Sequence, residues 1–148
     1  CRKLEPNVST TRERFEVLMR CKELGIPTLV WMTPILPFIN DTRENIEGLL
    51  DYCLQAGVQG ILVFDVGVTL REGDREYFYQ ALDRDFPSIR QKYISTYGNA
   101  YDIPSPYAKE LMALIQNTCV ANGMLCSPKE CFTYLHEFPE RYVQQTLF

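Results

Sequence analysis

The side chains with most chemistry to offer lie late in the chain, where Cys126, Cys131 and His136 recur every five residues and Cys119 precedes them by seven. Thiolates and an imidazole are zinc-ligand chemistry. Their spacing matches none of the short knuckles that hold a structural zinc, so the cysteines read as helix-packing thiols and no metal ligand is assigned. The single histidine, His136, sits among Tyr134, Glu137 and Phe138 and reads as a surface residue rather than a base. Asp65 closes an apolar, strand-like run, where its carboxylate can accept a hydrogen bond from a ligand or cap the turn at Gly67. The run Arg90-Gln91-Lys92-Tyr93-Ile94-Ser95-Thr96-Tyr97 mixes cations and aromatics, as a surface that stacks bases and contacts phosphate would. A net charge of −4 over the 148 residues favours the plainer reading, a solvated helix face.

The elements that position these residues follow from periodicity. Thr10 and Glu13 form a capping box ahead of Phe15, Leu18 and Met19, and Gly25 ends that helix. Ile26 to Thr33 is apolar almost without alternation, the pattern of a strand covered on both faces. Asp41 and Glu44 suggest a second capping box, followed by Ile46, Leu49, Leu50, Cys53 and Leu54 at helical spacing and by Gly57. A second buried strand, Gly60 to Asp65, follows. The two units superimpose at a shift of 32 residues: Leu18 on Leu50, Cys21 on Cys53, Gly25 on Gly57, Leu29 on Ile61. Such a repeat is what a parallel sheet or a (β/α) barrel looks like, with ligands gathering after Thr33 and after Asp65 at the strand C-termini.

Beyond Gly67 only helices are expected: Glu72–Arg84, Ser88–Tyr97, one from Ser105-Pro106 to Gly123, and a short one from Ser127-Pro128 to Leu135. With 46% apolar residues the chain has ordinary globular composition, and its one long apolar stretch, Ile26–Phe38, is broken by three prolines. No stretch reaches the roughly 20 residues that a membrane span needs. Six cysteines without an export signal point to a reducing cytoplasm. Two parallel strands cannot close a barrel, and the chain starts at Cys1-Arg2-Lys3 without an initiator Met, so the missing strands are expected upstream.

At Glu5-Pro6-Asn7, Arg14-Phe15, Gly25-Ile26-Pro27 and Thr33-Pro34-Ile35-Leu36-Pro37-Phe38-Ile39-Asn40-Asp41 the sequence resembles the radical S-adenosylmethionine superfamily, in its spore photoproduct lyase-like (DNA repair photolyase-like) branch. The resemblance covers residues 4 to 100 or so. It implies an α/β fold that is the C-terminal part of a partial, TIM-like (β/α) barrel. Residues 1–70 would carry its last two parallel strands, and residues 71–148 a helical C-terminal region packed on them. It also implies an enzyme that uses S-adenosylmethionine and a [4Fe-4S] cluster. The family's C-x-x-x-C-x-x-C cluster loop has no match among the cysteines here, so this stretch alone is expected to be inert and no catalytic residue is assigned.

By the same resemblance Thr33, Pro34 and Ile35 would neighbour the cofactor's adenine or ribose. Arg14 would pair either with a cofactor carboxylate or with Glu5, Asn40 would shape the loop, and Asp65 would be a further acceptor. DNA is the implied partner of the longer parent. The closing Gln144-Gln145-Thr146-Leu147-Phe148 is similar to the peptide with which repair proteins grip the sliding clamp. An uncovered first strand would invite dimerisation. Two other classes stand beside this one: a non-enzymatic interaction module built on the aromatic helices, and an unrelated (β/α)-barrel lyase. The latter is disfavoured by the lack of a phosphate loop and of a strand-end lysine.

Overall fold

The computed structural model describes residues 3–5 and 7–137, so the clamp-like tail at 144–148 and Cys1 lie outside the described residues. The chain is a mixed α/β structure of six helices and four three-residue strands among the described residues, and no closed barrel forms. In order these are α1 (Thr11–Glu23), β1 (Leu29–Trp31), α2 (Arg43–Ala56), β2 (Gly60–Leu62), β3 (Gly67–Thr69), α3 (Asp74–Asp85), α4 (Pro87–Tyr97), β4 (Asp102–Pro104), α5 (Ala108–Ala121) and α6 (Pro128–His136). No helix among the described residues is long and apolar enough to cross a membrane.

The helix boundaries obey their caps. Thr10 Oγ1 accepts from the Glu13 amide at 3.3 Å while the Glu13 carboxylate accepts from the Thr10 amide at 2.6 Å, the reciprocal box expected for α1. Gly25 and Gly57 both take left-handed backbone after their helices, with φ of 66° and 64°. The cap of α2 is a correction: Thr42, not Asp41, accepts from the Asn45 amide, at 3.2 Å. Asp41 is only 3% exposed and faces inward, where it accepts a hydrogen bond from Ser105 Oγ.

The strands β1 and β2 pair in parallel, as the repeat requires, but the register is shifted by one residue from it: Val30, not Leu29, lies opposite Ile61. The first strand is also shorter and barer than expected. β2 is buried throughout, whereas β1 ends on a Trp31 that is 57% exposed, because no strand among the described residues pairs with its outer edge. On its other side β2 is bridged by Leu125, whose carbonyl accepts from the Ile61 amide at 2.8 Å.

The expectation of helices alone after Gly67 is overturned by β3 and β4, which pair antiparallel with Val68 opposite Ile103. Three-residue strands carry too little alternation to register as a pattern. Their signature is Gly67 itself: a Cβ there would meet the Ile103 carbonyl oxygen at 2.5 Å, so only glycine permits this approach.

Two cores result. The larger gathers Ile46, Leu50 and Cys53 of α2, Ile61 and Val63, and Leu111, Ile115 and Cys119 of α5. The smaller is built on Leu70, Leu82, Tyr93 and Ile103, with Phe38 and Ile39 packed on it. In α4 the basic and aromatic run is spent on this second core: Tyr93 is fully buried, Tyr97 donates to the Pro104 carbonyl at 2.6 Å, and Arg90 pairs with Asp83 at 2.7 Å. Tyr93 therefore has no face to offer a nucleic-acid base.

Three of the thiols, Cys53, Cys119 and Cys126, belong to the first core. Cys53, Cys119 and Cys131 are buried and Cys21 and Cys126 half-buried. Burial pushes the Cys53 thiol up to about 11, and burial with the adjoining Cys126, Cys53 and Cys131 thiols pushes Cys119 up to about 12. Both lie above the ordinary value of 9.0, so the stability they contribute is complete below pH 9 and lost as the pH rises through their folded values. Iodoacetamide at pH 8 should label Cys21 and Cys126 well before Cys53 and Cys119, as read by peptide mass spectrometry, since the thiolate is the nucleophile. Stability should also fall above pH 9, less steeply in Cys119→Ala than in the parent.

Two glycines give opposite expectations. Gly48, inside α2 with nothing within 4 Å of an added Cβ, should gain about 0.5–1 kcal/mol on Gly48→Ala. Gly67→Ala should lose about 1–3 kcal/mol through its clash with Ile103, and urea midpoints measure both.

Candidate functional site

The loop after β1 is where the chain leaves regular structure, and three hydrogen bonds and two ring contacts hold it. Thr33-Pro34 is a cis peptide, Asn40 Oδ1 accepts from the Leu36 amide at 2.5 Å, and Asn45 Nδ2 donates to the Asn40 carbonyl at 2.8 Å. Tyr93 donates its hydroxyl to the Pro37 carbonyl at 2.8 Å, and burial pushes that phenol's pKa well up, so it stays a donor. Phe38 adopts a left-handed φ of 62°, its ring edge-on to Tyr93 at 5.7 Å and under the Lys92 ammonium at 4.0 Å. A residue held at positive φ without being glycine costs of order 1–3 kcal/mol, and here aromatic packing over-determines it.

Against this loop lies a cleft of about 490 Å³. Its floor is the chain from Val30 to Leu36, running off the C-terminal end of β1. One wall is a single stripe of α1, Thr11, Arg14, Phe15 and Leu18, backed by Leu49, Tyr52 and Cys53 of α2; the opposite wall is Val68, Thr69 and Leu70 with Asp74, Tyr77 and Phe78 of α3. Phe15 and Tyr52 stack at 4.4 Å and 22°, which fixes how far α1 stands from α2. The size and the mostly apolar lining with a few polar groups are those of a small-molecule site.

Six of the seven residues singled out from the sequence line this cleft: Glu5, Arg14, Thr33, Pro34, Ile35 and Asn40. Within the group, Thr33 and Pro34 are exposed to it while Ile35 is 3% exposed and serves the core as well. Asp65 is not part of the cleft. Its Oδ1 accepts from the Val66 amide at 2.7 Å, which braces the turn into β3. Glu5 and Arg14 do not form an ion pair.

Cys119, Cys126 and Cys131 lie apart from the cleft, and no three His, Cys, Asp or Glu side chains among the described residues converge as metal ligands. The far wall, Val68 to Phe78, was missed in the sequence because its elements were read as an appended helical region. The one available signal was that Asp74 and Glu76 open α3 while Tyr77 and Phe78 follow at once, apolar surface next to a charged turn.

No protein-family model matches the chain, and no solved structure matches it. Over 110 residues it is 28% identical to an uncharacterized protein of Mycobacterium bovis and, to the same extent, to uncharacterized proteins from two strains of Mycobacterium tuberculosis. The matched stretch is 74% of this chain and 32% of each relative, so the chain spans about a third of the length of the curated relatives it matches.

Proposed function

We propose that the chain is the C-terminal part of a radical S-adenosylmethionine enzyme resembling spore photoproduct lyase, and that its cleft is part of the cofactor and substrate pocket. One observation carries the reading. Six of the seven residues that the resemblance assigns, all but Asp65, come from three separate stretches, at Glu5, at Arg14 and from Thr33 to Asn40, and they meet in one cleft at the C-terminal end of a parallel strand. The one-residue offset between repeat and sheet register supports a staggered, barrel-like sheet, since a shear of about 8 over eight strands advances one residue per strand.

The cofactor and the cluster fare differently on these residues. A cleft of about 490 Å³ with apolar walls, one guanidinium and two carboxylates suits a nucleoside that carries an amino-acid group, and Thr33, Pro34 and Asn40 would hold its flat end. When bound, S-adenosylmethionine supplies a sulfonium whose carbon–sulfur bond one electron can cleave. The chain's own part is to hold that ligand and exclude water from it. The [4Fe-4S] cluster does not fit the described residues, which offer no converging set of thiolates, and no step is routed through it here. In this reading the cluster loop belongs to the longer protein.

A second reading, a non-enzymatic interaction module, is favoured by a single feature: Trp31, Phe64 and Phe132 form an exposed aromatic ledge with ring separations of 5.8 and 6.4 Å. Anaerobic iron–sulfur reconstitution of the full-length protein decides between them. The enzyme reading expects an iron–sulfur absorption spectrum and reductive cleavage of S-adenosylmethionine, with residues 1–148 alone inert. A full-length protein that takes up no iron overturns it.

A further inference from the structure

The thiols of the larger core are not equivalent. Cys119, near the end of α5, is fully buried, and the half-buried Cys126 is in sulfur-to-sulfur hydrogen-bond contact with it. Cys53 of α2 and Cys131 of α6 stand beside the pair. Two sulfurs seven residues apart in sequence meet because the chain between them is held at both ends. Gly123, at a left-handed φ of 66°, reverses the chain after α5. There the Met124 amide donates to the Cys119 carbonyl at 2.9 Å and the Gly123 amide to the Val120 carbonyl at 3.3 Å, the paired bonds of a Schellman end. Leu125 is then clamped to β2, its amide donating to the Gln59 carbonyl at 2.9 Å and its carbonyl accepting from the Ile61 amide at 2.8 Å. Cys126 follows at once, directly ahead of Ser127, the cap of α6. The approach of the two sulfurs is therefore set by the backbone and not by side-chain packing alone.

The pair is also asymmetric. Cys126 is open to solvent while Cys119 is not, and burial with the adjoining thiols pushes the Cys119 thiol up to about 12, which keeps it protonated. One thiol can meet an oxidant, and the other is held in reach of the product. We propose that Cys126 and Cys119 form a reversible redox-modification site, in which Cys126 reacts with hydrogen peroxide and Cys119 resolves the product to a disulfide. The Cys126 thiolate attacks one peroxide oxygen, the O–O bond breaks, and the departing hydroxide takes up a proton to become water. The Cys119 sulfur then attacks the sulfenic acid on Cys126. As the S–S bond forms the S–O bond breaks, and the sulfenic oxygen leaves as water with the Cys119 proton. In sum the two thiols lose two hydrogens and one peroxide becomes two waters. Contact between the sulfurs makes the second step intramolecular, which offsets the weak nucleophilicity of a protonated Cys119. A dithiol reverses the bond by exchange. Neither cysteine lines the cleft, so the site stands independently of the cofactor reading.

Trypsin cleaves after Lys109 and Lys129, which leaves both cysteines in the single peptide 110–129 and Cys131 in the next one. The full-length protein is treated while folded with a small excess of hydrogen peroxide, then unfolded in urea with N-ethylmaleimide and digested without reductant. Mass spectrometry should find that peptide two hydrogens lighter and free of maleimide, and dithiothreitol before alkylation should restore its labelling. Cys119→Ala should leave Cys126 as a sulfenic acid that dimedone traps, with no disulfide. Cys126→Ala should slow the loss of the Cys119 thiol by about tenfold or more. A peptide whose two thiols both take maleimide after the treatment overturns the site, as does a bond from Cys126 to Cys131 in its place. Oxidation of Cys119 as fast in Cys126→Ala as in the parent overturns the assigned roles. The first readout needs no variant, so a substitution that fails to fold leaves the test standing.

Discussion

The geometry of the cleft depends on one buried polar contact. Asp41, 3% exposed, accepts the Ser105 hydroxyl hydrogen bond at 2.5 Å, and Ser105 Oγ in turn accepts from the Tyr107 amide at 3.0 Å. A polar side chain taken from water without a partner costs about 1–3 kcal/mol, so each of these groups is stable inside only where the other is. Because they are 64 residues apart in sequence, satisfying them fixes the end of the loop after β1 to the start of α5. The Tyr93 hydroxyl on the Pro37 carbonyl makes the same connection from α4. The cleft floor is thus positioned from outside its own segment.

That arrangement explains why the second half of the chain is more than a covering layer. Helix α5 belongs to the first core, while Phe38 and Ile39 from the first half pack on the second. Arg75 secures the second unit internally: its guanidinium reaches the Leu70 and Ala100 carbonyls, tying the start of α3 to the chain that follows α4. The wall carrying Asp74, Tyr77 and Phe78 is therefore held at a set distance from the wall carrying Arg14. Each wall comes from a unit with its own core, and the loop from Thr33 to Asp41 is the part that both units grip.

What could be read from residues alone follows the range of the interactions. The helix starts at Thr10 and Ser127 and the helix-ending glycines Gly25 and Gly57 are decided within a turn, and all were legible. The parallel pairing of β1 with β2 followed from the repeat, yet its register did not, because a parallel stagger is set by how two strands pack and not by either strand's own pattern. Asp41 looked like a helix cap because Asp, Ser and Thr share that chemistry; that Thr42 takes the role depends on Ser105, which no local pattern reveals. Of the site, the half lying along α1 and the first loop was found by resemblance. The half on β3 and α3 was not, since strands of three residues pair through a distant partner and carry no period of their own.

The two sides of the parallel pair are not equivalent, and the difference falls beside the cleft. β2 has β1 on one side and the Leu125 bridge on the other, and all three of its residues are buried. Among the described residues β1 has one neighbour, and its last residue, Trp31, stands 57% exposed next to Phe64. Parallel strands occur in nature covered on both faces, and an open edge with apolar side chains beside it is a pairing surface. Under the proposed reading that edge is where the sheet continues into the longer protein. Trp31 is also part of the cleft's floor, so under that reading whatever covers β1 also borders the cleft. Continuing the sheet and shielding the cleft from water would then be linked, and excluding water there strengthens any charge–charge contact made inside it.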